Sequence, residues 1–211
     1  MKYPNAFAGV KKLYTAEILG LIALIFALIT AFAGFFTIGV IETGVEDAVD
    51  ASLGVTGILT IVTAILSLIA FILNLAGLGR AGKDEPAFQY GLYASIIGIV
   101  SSVAAGFLPD GIGKELLTVL NEIMLNLVSV LSIAGIMALA KKSLNTEMEN
   151  RGASLLRLIT ASIVIAGVAD IIYRFFVNGA VVLGIIAIVI DLVAALLYLG
   201  YLKRAKKMLA E

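Results

Sequence analysis

The stretch that decides the fold is Ala51–Gly79, ASLGVTGILTIVTAILSLIAFILNLAGLG, which contains no charged residue. A helix of about 20 mostly apolar residues is long enough to cross the hydrocarbon core of a bilayer. This stretch exceeds that length, and its polar side chains are limited to Ser, Thr and one Asn near its end. The sequence therefore predicts a membrane-spanning helix here.

The composition of the whole chain favours the same environment. Of 211 residues, 61% are hydrophobic and 14% are charged, and the mean hydropathy is +1.09; soluble domains are about 45–50% apolar and about 25% charged. Basic and acidic residues are equal in number, so no nucleic-acid partner is expected. Without histidine or cysteine, the usual zinc, haem, thiolate and imidazole chemistry is excluded. We expect no metal, no cofactor and no enzymatic activity.

Six stretches are long and apolar enough to span a bilayer. Short connections on one side, the last of them Asn178-Gly179 alone, join them into three helical hairpins. We therefore predict an all-α integral membrane protein, a six-transmembrane-helix bundle over residues 18–202, with a longest loop at 141–157. The predicted spans are Ile18–Ile41, Ala51–Gly79, Phe88–Leu108, Leu116–Ala140, Leu158–Val177 and Ala180–Leu202.

Basic residues are concentrated on one side of the predicted spans. Of the fifteen, Lys114 lies on the opposite side, Arg174 lies within a span, and the rest share one side. Connections rich in Lys and Arg stay in the cytoplasm. Both termini are therefore predicted to be cytoplasmic, in a multi-pass protein of a bacterial plasma membrane. The shared side holds Lys2, Lys11, Lys12, Arg80, Lys83, Lys141, Lys142, Arg151, Arg157, Lys203, Arg204, Lys206 and Lys207.

The two ends of the chain flank this membrane domain. In residues 1–17, apolar side chains recur at helical spacing from Phe7 to Tyr14 beside two lysines. That pattern fits an amphipathic helix in the headgroup region or a cytoplasmic extension of the first span. Residues 203–211 are predicted to form a basic cytoplasmic tail.

The starts of the first, third and fifth spans resemble one another. They read AEILG from Ala16, ASIIG from Ala94 and ASIVI from Ala161. A parallel internal repeat of three hairpins produces such a pattern. Because aliphatic segments match easily by chance, three unrelated hairpins stay open as the alternative.

Four ionisable residues lie within the predicted spans: Glu122, Asp170, Arg174 and Asp191. A charged side chain near a helix centre costs about 2.5–3.5 kcal/mol on insertion scales. Asp170 and Arg174 are four residues apart, so an ion pair on one helix face explains both. Asp191 has no cation at such a spacing.

Together with Asn126, one turn after Glu122, these residues form the predicted site. The substrate- or ion-binding residues are expected to be Glu122, Asn126, Asp170, Arg174 and Asp191, a net acidic locus between the fourth, fifth and sixth spans. There Asp191 would bind a cation or relay a proton. Alternatively, it is protonated and hydrogen-bonds a neighbouring helix, and the sequence leaves both interpretations open.

Two classes of function follow from these interpretations. The first is binding or transport of a small solute, an ion or a proton at that locus. The second is a non-transporting membrane scaffold, a stress protein or a lipid-organising protein whose buried charges hold its helices together. The expected partners are the lipid bilayer and either a second copy or another membrane subunit.

Overall fold

The computed structural model describes residues 2–43, 46–175 and 180–210, with side chains throughout except at 31, 34–43, 46–52, 166–175, 180–189 and 191. Within these ranges the chain is helical apart from short connections, which confirms the predicted all-α class. Each helix contains one of the six predicted apolar stretches almost completely. The helices are α1 (Pro4–Thr43), α2 (Glu46–Ala81), α3 (Pro86–Phe107), α4 (Ile112–Lys142), α5 (Thr146–Phe175) and α6 (Ala180–Ala210).

Four helical segments in the described part of the chain are long and apolar enough to cross a membrane. They expose large apolar side chains that water would penalise, such as Ile58, Val100 and Leu116, each more than 60% exposed. These helices are compatible with a membrane protein, as the composition predicts. The four segments are Pro4–Thr30, Leu53–Ala81, Pro86–Phe107 and Ile112–Lys142.

Several helices extend beyond the predicted spans, because polar residues at their ends are also helical or cap the helix. The prediction of a loop over residues 141–157 is wrong: α4 continues to Lys142 and α5 begins at Thr146. The side-chain oxygen of Asn145 accepts a hydrogen bond from the backbone N–H of Met148 at 3.0 Å, which caps α5. Glu147 and Glu149 lie in its first turn, where negative charge interacts favourably with the helix dipole and stabilises the start of α5.

The two ends of the chain are helical as well. Helix α1 runs without interruption from Pro4 to Thr43, so residues 4–17 are the beginning of the same helix that contains the first predicted span. Helix α6 continues to Ala210, and Ala205 and Leu209 are buried near its end.

The chain divides into two compact units. The larger unit comprises Met1–Lys11 and Leu75–Glu211, and the smaller comprises Lys12–Asn74. The smaller unit contains most of α1 and α2. Its exposed side chains in α2 are largely aliphatic, with Ile61, Ile65 and Leu68 each more than half exposed.

In the larger unit, α3 packs on α4, α4 on α5, and α5 on α6. Two glycines set the close approaches. A Cβ atom at Gly135 of α4 would lie 2.7 Å from the ring of the buried Phe88 of α3. At Gly152 of α5, a Cβ atom would meet Met137 of α4 and the Tyr201 hydroxyl of α6. The predicted adjacency of α5 and α6 is thus observed.

Candidate functional site

The described part of the predicted acidic site lies on α4. Glu122 and Asn126 are one turn apart, and both side chains are exposed. Neither makes a hydrogen bond or ion pair with any residue that the structure describes. Asp170 and Arg174 of α5 and Asp191 of α6 have side chains outside the described residues. The convergence of the five residues therefore stays a prediction.

The surroundings of Glu122 and Asn126 are apolar. On the same helix, Val119, Ile123 and Leu127 are between 38% and 53% exposed. A pair of polar side chains thus interrupts an aliphatic surface that begins near the start of α4. In a membrane such a pair needs water, an ion, a proton or a polar partner.

Polar residues recur at steps of three or four along α4, at Thr118, Glu122, Asn126, Ser129 and Ser132, and this polar stripe continues from Glu122 into the helix packing. Ser129 is half-buried, and Ser132 is fully buried. The Ser132 hydroxyl has no hydrogen-bond partner among the described residues. The stripe therefore runs from an exposed surface into the interior at the level where Gly135 meets Phe88.

No group of three carboxylates lies close enough to hold a metal ion among the residues whose placement is described. Ion pairs of the described part of the larger unit lie near helix ends, as at Lys142–Glu85 and Arg151–Glu147.

One such group is the polar end cluster, formed by Lys2, Asn5, Asp84, Glu85 and Lys142. The Asp84 carboxylate accepts hydrogen bonds from the Ala6 backbone N–H at 2.7 Å and from the Asn5 side-chain amide at 3.0 Å. Lys142 donates to Glu85 at 2.7 Å. Lys2 donates to the Lys142 carbonyl at 3.3 Å. The cluster ties the start of α1 to the α2–α3 connection and the end of α4.

A small cavity beside this cluster joins the two ends of the chain. Its volume is about 270 Å³, and its lining includes Lys2 and Tyr3 from the N-terminus, Ser143 from the α4–α5 connection, and Leu209 from the end of α6. The N-terminal segment, the end of α6, the α2–α3 connection and the α4–α5 connection therefore meet at one end of the larger unit.

A second concavity, the α5–α6 groove, has a volume of about 620 Å³. Its wide apolar part is lined by Leu155 and Leu158 of α5 and by Leu196 and Leu197 of α6. Its rim is polar and lies near the start of α5 and the end of α6. The rim residues are Glu147, Asn150, Arg151, Ser154 and Arg204.

The rim of the α5–α6 groove carries two guanidinium groups against one carboxylate. Arg151 donates a hydrogen bond from Nε to Oε1 of Glu147 at 2.9 Å. Its Nη2 atom lies 2.8 Å from the same oxygen. Arg204 approaches the same Glu147 oxygen at 3.9 Å from α6. On the groove floor, the Tyr201 hydroxyl donates to the Met148 carbonyl at 3.4 Å.

Sequence reasoning did not find the α5–α6 groove. Its local signal is the succession of basic residues and leucines on each helix, Arg151 before Leu155 and Leu197 before Arg204. That succession also occurs at ordinary membrane boundaries, so the packing of α5 on α6 was needed to distinguish a groove. Comparison with protein families, with curated proteins and with solved structures finds no match for this chain.

Proposed function

We propose that this chain is a six-span membrane protein that binds and moves a small solute, a cation or protons. The site comprises Glu122 and Asn126 of α4 together with Asp170 and Arg174 of α5 and Asp191 of α6. The observation that carries the proposal is the exposed Glu122–Asn126 pair within the apolar surface of α4. The proposed function involves neither catalysis nor a nucleic-acid partner.

The proposal extends the four apolar segments to six spans. Helices α5 and α6 have 30 and 31 residues, whereas about 20 suffice to cross a bilayer. An even number of crossings returns both termini to one side. The meeting of Lys2, Tyr3 and Leu209 around one cavity supports that arrangement. A parallel repeat of the three hairpins stays part of the proposal.

The same proposal places both termini in the cytoplasm of a bacterial cell. The excess of Lys and Arg on that side supports this orientation. Lys114, the lone basic residue in the predicted external connections, donates to Asp110 at 2.7 Å. This hydrogen bond and the charge of Lys114 lower the pKa of Asp110 below its ordinary value. The predicted external connections hold Glu42, Glu46, Asp47, Asp50 and Asp110 against this one lysine, so the external side carries net negative charge.

The cost of burying Glu122 in lipid supports a ligand. A charged side chain near the centre of a spanning helix costs about 2.5–3.5 kcal/mol on insertion scales. A bound cation or proton neutralises the charge of the Glu122 carboxylate. A water-filled cavity avoids the transfer of that carboxylate from water into lipid. Asn126, one turn away, adds an oxygen ligand for a cation and two N–H donors for a solute.

Purified protein in liposomes tests the proposal. The probes are protons, followed with an enclosed pH-sensitive dye, and radioactive Na⁺. We expect Glu122→Gln to lower the initial rate of the active probe about tenfold or more, because a positioned titratable group contributes at least that much to proton transfer. Asp191→Asn and Asp170→Asn should act in the same direction.

Glu115→Gln is the matched control, since Glu115 is an exposed carboxylate in the first turn of α4, outside the predicted span. Its rate should equal that of the unaltered chain. Folded protein without flux of either probe, or equal rates in Glu122→Gln and Glu115→Gln, contradicts transport of these ions.

The second candidate is a membrane scaffold, in which the exposed Glu122 and Asn126 contact another chain. In lipid, polar side chains on a helix surface hydrogen-bond to another helix, which would come from a second copy or a partner subunit. In that case Glu122→Gln combined with Asn126→Leu would change the oligomeric state in detergent and leave ion flux unaffected. Light scattering of the purified variants separates the two candidates.

A further inference from the structure

We propose that the α5–α6 groove binds an anionic phospholipid of the leaflet in which its rim lies. The phosphate would lie between Arg151 and Arg204, and the acyl chains would follow the leucines. The inference rests on the proposed crossing of the membrane by α5 and α6. It is separate from the Glu122 site.

The dimensions of the groove suit one leaflet. From Glu147 to Leu158 the α5 wall spans about 16 Å, and from Leu196 to Arg204 the α6 wall spans about 12 Å, at about 1.5 Å per residue. Half of a hydrocarbon core of about 30 Å is about 15 Å. The volume of about 620 Å³ falls within the range of about 300–1,000 Å³ that is typical of ligand sites.

The polarity of the groove changes along its length as that of a phospholipid does. Arg151 and Arg204 lie at the rim, and Leu155, Leu158 and Leu196 lie farther along the helices. This order matches a charged headgroup followed by acyl chains. Charged rim residues would be unfavourable in contact with lipid acyl chains. The polar end of the groove should therefore lie at the level of the headgroups.

The rim charges select an anion. Two guanidinium groups face one carboxylate, and each guanidinium has five N–H donors in a planar fork that suits phosphate. Glu147 lies 3.9 Å from Arg204, at the outer limit of an ion pair. It therefore constrains Arg204 less than it constrains Arg151. A phosphate bridging the two arginines would join the start of α5 to the end of α6.

Native mass spectrometry of the purified protein tests the inference. The probes are phosphatidylglycerol and phosphatidylcholine with identical acyl chains. We expect phosphatidylglycerol to bind at least about fivefold more tightly than phosphatidylcholine, because each basic residue near the headgroups adds a favourable contribution to anionic lipid binding.

The double variant Arg151→Gln, Arg204→Gln should lose this preference. The matched control Lys83→Gln, Lys141→Gln removes two exposed basic residues outside the groove and should keep it.

A second variant obstructs the groove without changing its charge. Ser154→Phe places a ring inside the groove, since Ser154 lines it, and should weaken the binding of both lipids. Ser102→Phe, at an exposed position of α3, is its control. If the groove variants bind lipid as their controls do, or if they change only the dimerisation of the chain, the groove does not hold a lipid.

Two further results keep this inference distinct from the proposed function. Cysteine introduced by Leu158→Cys should resist water-soluble maleimide if α5 crosses the membrane. Resistance combined with absent lipid preference overturns the groove alone. Conversely, lipid preference with unaltered flux in Glu122→Gln overturns the transport site alone.

Discussion

At the residue scale, a carboxylate from a distant connection caps the first turn of α1. The first N–H groups of a helix have no partner within it, and Asp84 accepts from one of them at Ala6. The same carboxylate fixes Asn5. Since the two partners are 78 and 79 positions away along the chain, no local pattern in the sequence could predict this contact.

Replacing Asp84 tests the importance of that cap. Asp84→Ala should lower the free energy of unfolding by about 1–2 kcal/mol, the usual loss for a capping residue. For a chain of this size that corresponds to a decrease in Tm of about 2–8 °C. Thermal unfolding in detergent measures it. Lys83→Ala, at an exposed neighbouring position, is the control, and an equal Tm in both variants would show that the cap contributes nothing.

Two buried serines should respond in opposite directions. Ser101 of α3 donates to the Ile97 carbonyl at 2.9 Å, whereas the Ser132 hydroxyl has no partner among the described residues. Ser101→Ala should therefore cost about 0.5–1.5 kcal/mol. Ser132→Ala should leave stability unchanged or raise it, because it removes an unpaired polar group. Thermal unfolding of both variants is the measurement, and a larger loss for Ser132→Ala argues against the described packing.

At the element scale, the sequence predicted where helices form better than where they end. An apolar run of about 20 residues is a local property, and the described part of each of the six runs lies almost completely in one helix. Helix ends depend on capping by Asn145 and on contacts with residues far away in sequence, as at Asp84. For the same reason, the predicted loop over residues 141–157 became three residues between α4 and α5.

The packing of α3 on α4 depends on the absence of a side chain at Gly135. A Cβ atom there would approach the Phe88 ring to 2.7 Å, and the fully buried ring has little room to move. Gly135→Ala should therefore destabilise the protein by about 1–3 kcal/mol through overpacking. Adding Phe88→Leu should recover part of this loss. Gly106→Ala is the control, since no atom lies within 4 Å of a Cβ there.

The Gly106→Ala control should leave stability unchanged or raise it slightly, because Gly106 lies in the last turn of α3. Chemical unfolding in mixed micelles measures all three variants. Equal destabilisation of Gly135→Ala and Gly106→Ala would mean that α3 and α4 do not meet at Phe88.

At the scale of the whole molecule, the prediction of a membrane protein follows from composition, but the candidate sites do not. Apolar fraction and the distribution of lysine and arginine are properties of the whole chain. A site requires specific faces of different helices to meet. Glu122 and Asn126 could be identified as unusual from sequence, because charge is rare in spans. The α5–α6 groove required the packing of two helices.

The absence of cysteine from the chain makes its membrane topology accessible to single-cysteine labelling. Ser143→Cys and Lys207→Cys should react with a membrane-impermeant maleimide only after the inner face of the membrane is opened. Pro109→Cys and Asn178→Cys should react in intact spheroplasts, because the proposed six spans place the connections at 109 and 178 outside. Asn178→Cys is the decisive position. If it labels together with Ser143→Cys and Lys207→Cys, α5 and α6 do not cross separately, and the chain has four spans.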